Sequence, residues 1–178
     1  MKKFKIIAVF GIFAISFLCH FAFDTFPCIF SSIIFPVNES IWEHMKILFT
    51  STILYGIIDY MLLKKNKIDF NNFSLQLFTS AFSAIIIFLI IFLPIYNLIG
   101  ENLPVTLVIM FITYAICQYI SFKILKLKEY KILNILSIIA IIIMYIIFGY
   151  FTYYPIENDF FIDPTNKTYG ITKNDVNL

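Results

Sequence analysis

The chain has 178 residues, 61 % of them hydrophobic and only 13 % charged, with thirteen lysines, no arginine and a formal net charge of +2. That composition lies outside the range of soluble globular domains and places the chain among integral membrane proteins. With no guanidinium to fork onto phosphates or base edges, a nucleic-acid partner is set aside as well.

Met1-Lys-Lys-Phe-Lys5 opens onto an apolar run over residues 6–23. The pattern is that of a signal peptide, but no A-x-A-like site follows and a bulky Leu18 precedes Cys19, so the run is expected to remain as a first spanning helix. Its length corresponds to a rise of about 27 Å, close to the roughly 30 Å of a hydrocarbon core. Residues 24–36, apolar and punctuated by Pro27 and Pro36, are expected to lie in the interface. A second span is expected over 41–63, stopped by Lys64-Lys-Asn-Lys67, and a third over 73–96, ending near Pro94 and a turn at 97–102. A fourth is expected over 104–122, with Pro104 at the helix start, where a missing N–H costs nothing. A lysine-rich hairpin at 123–131 leads to the fifth, over 132–153. Residues 154–178 carry Pro155, Pro164, Gly170 and several Asn and Asp residues, and are expected to form an extramembrane tail.

The fold class is thus an all-α polytopic membrane helix bundle of about five transmembrane helices. Three lysines in residues 1–5, three in 64–67 and four in 123–131 fall on one side of this arrangement. The positive-inside rule makes that side cytoplasmic, giving N-in/C-out topology, multi-pass, in a bacterial cytoplasmic membrane with the lipid bilayer as its partner. No internal repeat supports an inverted-repeat transporter.

One stretch stands apart from the apolar background: Pro36-Val-Asn-Glu-Ser-Ile-Trp-Glu-His-Met-Lys46. At 100° per residue, Glu39, Glu43 and Lys46 fall on one face of a helix through this stretch, whereas His44 begins another that continues through Leu48, Ser51, Tyr55 and Asp59. Ser40-Ile-Trp-Glu43 fits a capping box, Glu43 and Lys46 fit an i, i+3 ion pair, and Trp42 suits an interfacial belt. On the first span Ser16, His20 and Asp24 share a face, and antiparallel crossing brings its outer end to the start of the second span. An ionisable residue at membrane depth faces protein or a water-filled cavity. Together His20, Asp24, Asn38, Glu39, Ser40, Trp42, Glu43, His44 and Lys46 form a candidate polar pocket at the outer leaflet. Imidazole and carboxylate donors suit zinc, and a metal here would draw on His20, Glu39, Glu43 and His44, although no H-E-x-x-H motif is present. Asp59 is expected to meet Lys64 or Lys65 at the opposite interface. Gln76, Ser80, Gln118, Ser121 and Asn134 read as interhelical hydrogen bonds.

The leading reading is a membrane protein with an outward-facing polar pocket that binds or passes a small polar or cationic species, since acids outnumber bases there. Two alternatives stand beside it. One is a metal-dependent or acid/base intramembrane hydrolase or transferase acting on lipid or envelope substrate; the other is a structural subunit of a membrane complex.

Three passages resemble a family of small integral membrane proteins of low-GC Gram-positive bacteria, a domain of unknown function. They are His20-Phe-Ala-Phe-Asp24, the Pro36 to Lys46 stretch with its P-V-N-E-S-x-W-E-H-x-K pattern, and Tyr154-Pro155 with the tail Asp163-Pro-Thr-Asn-Lys-Thr-Tyr-Gly-Ile171. The sequence departs from the pattern at Thr50-Ser51, where a proline is expected, and at Asp59, where a glutamate is expected. The resemblance implies a helical membrane core and no particular activity. It also brings Asp163, Tyr169 and Gly170 toward the pocket as tail contacts.

Overall fold

A computed structural model describes residues 1–100 and 102–171; Glu101, in the expected 97–102 turn, and residues 172–178 of the expected tail lie outside the described residues. Five long helices, α1 (Lys2–His20), α4 (Ile41–Lys65), α5 (Phe73–Ile99), α6 (Leu103–Ile124) and α7 (Lys131–Tyr153), are each long and apolar enough to cross a membrane. Two short helices, α2 (Ala22–Thr25) and α3 (Ile29–Ile34), occupy the connection between the first two spans. Among the described residues there is no β-strand, only an isolated antiparallel bridge between Ile162 and Tyr169. The chain is an all-helical membrane protein.

The bundle is organised around α4, the most buried of the five spans. It carries Glu43, Lys46, Thr50, Ser51, Thr52 and Asp59, all buried. Only a helix shielded from lipid on most sides holds so many polar groups, because hydrocarbon offers them no partner. Helices α1 and α5 flank it, α6 packs on both of these, and α7 packs on α5 and carries α3. Close approach of α1 to α4 depends on Gly11, where a Cβ would fall 2.0 Å from the Tyr55 ring.

The buried polar groups find partners across helices. The Ser51 and Tyr114 hydroxyls lie 3.0 Å apart, Ser80 donates to the Cys117 carbonyl, and Ser121 donates to Gln76. Thr50, at the position where the family pattern suggests proline, donates to the Ile34 carbonyl at 2.8 Å and so fastens α3 to α4. Cys28, the N-cap of α3, is exposed, and the hydroxyl and amide of Ser31 beside its sulfur hold the thiol below its ordinary pKa.

The expected pairing of Asp59 with Lys64 or Lys65 is corrected by the structure: Asp59 pairs with Lys5 of α1 at 2.5 Å, both side chains buried. Residues five and six places beyond Asp59 lie about 140° and 240° around the helix, facing away from it. Lys64 instead sits over the Tyr60 and Phe70 rings. The antiparallel neighbour supplies the cation that the same helix cannot.

Candidate metal centre

The polar stretch becomes two separate structures at the start of α4. Ser40 is the N-cap, with extended backbone, and its hydroxyl accepts from the Glu43 amide at 3.2 Å. The return half of the capping box is absent: the Ser40 amide donates to Asn38 Oδ1 at 2.9 Å. Glu43 turns inward instead. Its carboxylate accepts from the Val37 amide at 3.0 Å and from the Thr152 hydroxyl at 2.7 Å, and it pairs with Lys46 at 2.7 Å. Lys46 also donates to the Ser32 carbonyl at 2.7 Å and to Thr152. Both charged side chains are fully buried, so this node ties α3, α4 and the end of α7 together and offers nothing to a ligand.

Glu39 does not share that face. It precedes the N-cap, so helical turn angles do not extend to it, and its half-exposed carboxylate swings outward between two histidines. His20, the last residue of α1, places Nε2 3.6 Å from Glu39 Oε1, and His44, in the first turn of α4, places Nε2 3.4 Å from Oε2. One ligand atom from each residue of the trio lies within 4.8 Å of the others, and the two imidazole centroids are 5.7 Å apart. His44 Nδ1 lies 2.9 Å from the Ser40 carbonyl oxygen. A carbonyl only accepts, so Nδ1 carries the proton, and in the neutral ring Nε2 turns a bare lone pair toward the carboxylate. A backbone carbonyl on the far ring nitrogen is the way metal-binding histidines are commonly oriented, and it leaves Nε2 directed at Glu39.

The spacing points the same way. A charge-assisted N–H to carboxylate hydrogen bond closes to about 2.7–2.9 Å, shorter than the 3.4 and 3.6 Å seen here. Two ligands on a tetrahedral ion with bonds of 2.0–2.1 Å stand about 3.3 Å apart. Each separation, one to each carboxylate oxygen, lies closer to a tetrahedral edge than to a hydrogen bond.

Beside the trio runs a polar groove of about 370 Å³, lined by His20, Asp24, Pro36, Val37, Asn38, Glu39 and the tail residues Asp163, Asn166, Thr168 and Gly170. Asp24 stands on its exposed wall. The tail covers the start of α4 through a set of matched contacts. Asn38 Nδ2 donates to the Gly170 carbonyl at 2.9 Å, the Glu39 amide to Asp163 at 3.4 Å, and the Trp42 amide to the Phe160 carbonyl at 3.0 Å. Asp163 is buried and also accepts from the amides of Thr165 and Asn166, closing an Asx turn. Tyr169 does not line the groove; its bridge to Ile162 closes the tail hairpin. Trp42 stacks on Phe161 at 5.0 Å and packs edge-on against Phe148 and Phe151.

Sequence reasoning did not single out Thr152, Asn166 or Thr168. Thr152 is one hydroxyl in an aromatic helix end, and the other two occupy variable places in the tail pattern, so no local spacing marks them.

Gly170 has φ of +59°, and a Cβ there would fall 2.3 Å from the Thr152 carbonyl oxygen, which accepts from the Ile171 amide. Gly170→Ala is therefore expected to lift the tail from α7, seen as faster protease cleavage within residues 154–171 while the five spans stay protected.

Residues 1–171 match the model of a Family of unknown function (DUF6512). No curated protein and no solved structure matches the chain.

Proposed function

The chain belongs to this family of unknown function, so kinship assigns no activity, and we propose from the geometry that it binds a zinc-class divalent cation at its outer face through His20, Glu39 and His44. The observation that carries the reading is the convergence of His20 Nε2, His44 Nε2 and the Glu39 carboxylate within 4.8 Å, with His44 oriented by the Ser40 carbonyl. Two imidazoles and one carboxylate are a borderline donor set, suited to zinc more than to calcium or magnesium, which seek all-oxygen shells. Three protein ligands would leave a fourth position for water or a substrate atom, and two of the three, His20 and Glu39, line the groove. Asp24, Asp163 and Glu39 line that groove, and among its described lining residues there is no lysine, which favours a cationic species over an anionic one. The lysine-rich opposite end of the bundle supports N-in/C-out placement in a bacterial cytoplasmic membrane, with the centre exposed outside the cell.

The test is metal content. Protein purified in detergent, stripped with chelator and dialysed against zinc, is expected to retain about one ion per chain, and magnesium or calcium at the same concentration is expected not to displace it. Retention of none would sink the reading.

A second reading rests on the groove itself. Its polar wall, running from His20 and Glu39 to Asn166 and Thr168, suits a polar headgroup or envelope fragment, and a metal-activated water is the nucleophile of hydrolases with this donor set. Zinc-dependent release of a water-soluble product from vesicles of bacterial lipid would favour it; unchanged vesicles with full zinc occupancy would leave binding as the function.

A further inference from the structure

At the opposite end of the bundle, we infer that the cleft between α1 and α6 is a binding site for one anionic phospholipid, its acyl chain between the helices and its phosphate among Lys2, Lys123 and Lys126. The cleft has a volume of about 430 Å³. Ile6, Val9 and Phe10 form one wall, and Phe111, Ala115 and Phe122 the other. Ile6 and Phe10 are 62 % and 60 % exposed, so no element among the described residues covers the cleft.

Its mouth is cationic. Lys2 Nζ lies 6.0 Å and Lys126 Nζ 4.3 Å from the Phe122 ring centroid, and Lys123 Nζ lies 5.2 Å from that of Tyr119. All three lysines are exposed, and none forms an ion pair among the described residues. Lys5 also borders the cleft, but Asp59 neutralises it. Three uncompensated ammonium groups, two of them on one aromatic ring, concentrate positive potential at the end of an apolar slot. Neither half suits a free anion or an uncharged lipid: an inorganic phosphate gains nothing from the apolar walls, and a zwitterionic headgroup carries its own cation toward the lysines. Basic pockets between spans at the headgroup level are the recognised form of an anionic-lipid site.

The whole chain in neutral detergent, titrated with phosphatidylglycerol or with phosphatidylcholine and read by native mass spectrometry, tests the site. Phosphatidylglycerol is expected to remain bound at about one per chain and at least tenfold more than phosphatidylcholine. The triple variant Lys2→Gln/Lys123→Gln/Lys126→Gln is expected to lose that preference. Ala115→Trp, which fills the slot from an exposed position and leaves every charge in place, is expected to lose the bound lipid as well. A control with the same change of charge elsewhere on that end, Lys64→Gln/Lys65→Gln/Lys67→Gln, is expected to keep both. The inference is overturned if the control loses the preference as fully as the cleft variant, or if Ala115→Trp retains the lipid; either result assigns the binding to diffuse charge alone.

Discussion

Replacing His44 or His20 with alanine is expected to reduce zinc affinity by at least about 100-fold and leave the purified protein without bound metal. Even removal of a residue that only orients a ligand typically lowers affinity by about 10–100-fold, and removal of the ligand itself exceeds that. The fold should survive, because both imidazoles are partly exposed at the rim of the bundle, and the hydrogen bond of His44 Nδ1 is with Ser40 at its own helix start. Glu39→Gln, which keeps the shape and removes the charge, should fall with the histidine variants. Asp24→Asn changes the groove wall alone and should stay within about threefold of the unaltered protein, since Asp24 contributes no atom to the trio. Isothermal titration of chelator-stripped protein distinguishes these, with circular dichroism confirming helix content. Equal losses from His20→Ala, His44→Ala and Asp24→Asn would mean that the groove binds cations by diffuse negative charge.

Glu43 and Lys46 carry the second large effect, on stability. Lys46→Met leaves a carboxylate fully buried with no cation, and breaking a buried pair from one side destabilises by about 3–5 kcal/mol. That is a large part of the 5–15 kcal/mol typical of a folded domain, so the variant is expected to lose most of its folded yield. Adding Glu43→Gln removes the orphan charge and keeps an acceptor for the Val37 amide, while the new amide NH2 can donate to the Thr152 hydroxyl, which still donates to the Phe148 carbonyl. The double variant is expected to recover at least half of the lost thermal midpoint and to bind zinc normally. A single Lys46→Met variant as stable as the unaltered chain would show that the pair does not hold α3, α4 and α7 together. A double variant that folds but no longer binds metal would return Glu43 to the ligand set.

These two expectations separate residues that looked alike in the sequence. Glu39 and Glu43 are both carboxylates beside an N-cap serine, and the wheel placed them on one face with Lys46. The wheel holds only after Ser40, where the backbone becomes helical; before it the extended chain sends Glu39 the other way. The capping box was half legible for a related reason, since Asn38 competes for the Ser40 amide from two residues away. Long apolar runs and their lysine stops made the five spans readable, because crossing hydrocarbon constrains length and composition without reference to neighbours. Pairings between distant segments left no such mark. Lys5 with Asp59, and Thr152 with Glu43, join residues 54 and 109 positions apart, and nothing local distinguishes either partner from a surface residue. The tail over the groove was visible only as a recurring pattern, and its physical reason, Gly170 passing against Thr152 to present its carbonyl to Asn38, needed coordinates.

X-ray absorption at the zinc edge of the metal-loaded protein addresses the centre most directly, because it counts and identifies the atoms bound to the ion. Two imidazole nitrogens with one carboxylate oxygen and one further light atom, at about 2.0–2.1 Å, are expected, falling to one imidazole in His44→Ala reconstituted at high zinc. A sulfur neighbour, an all-oxygen shell, or a spectrum unchanged by His44→Ala would contradict a centre built from His20, Glu39 and His44.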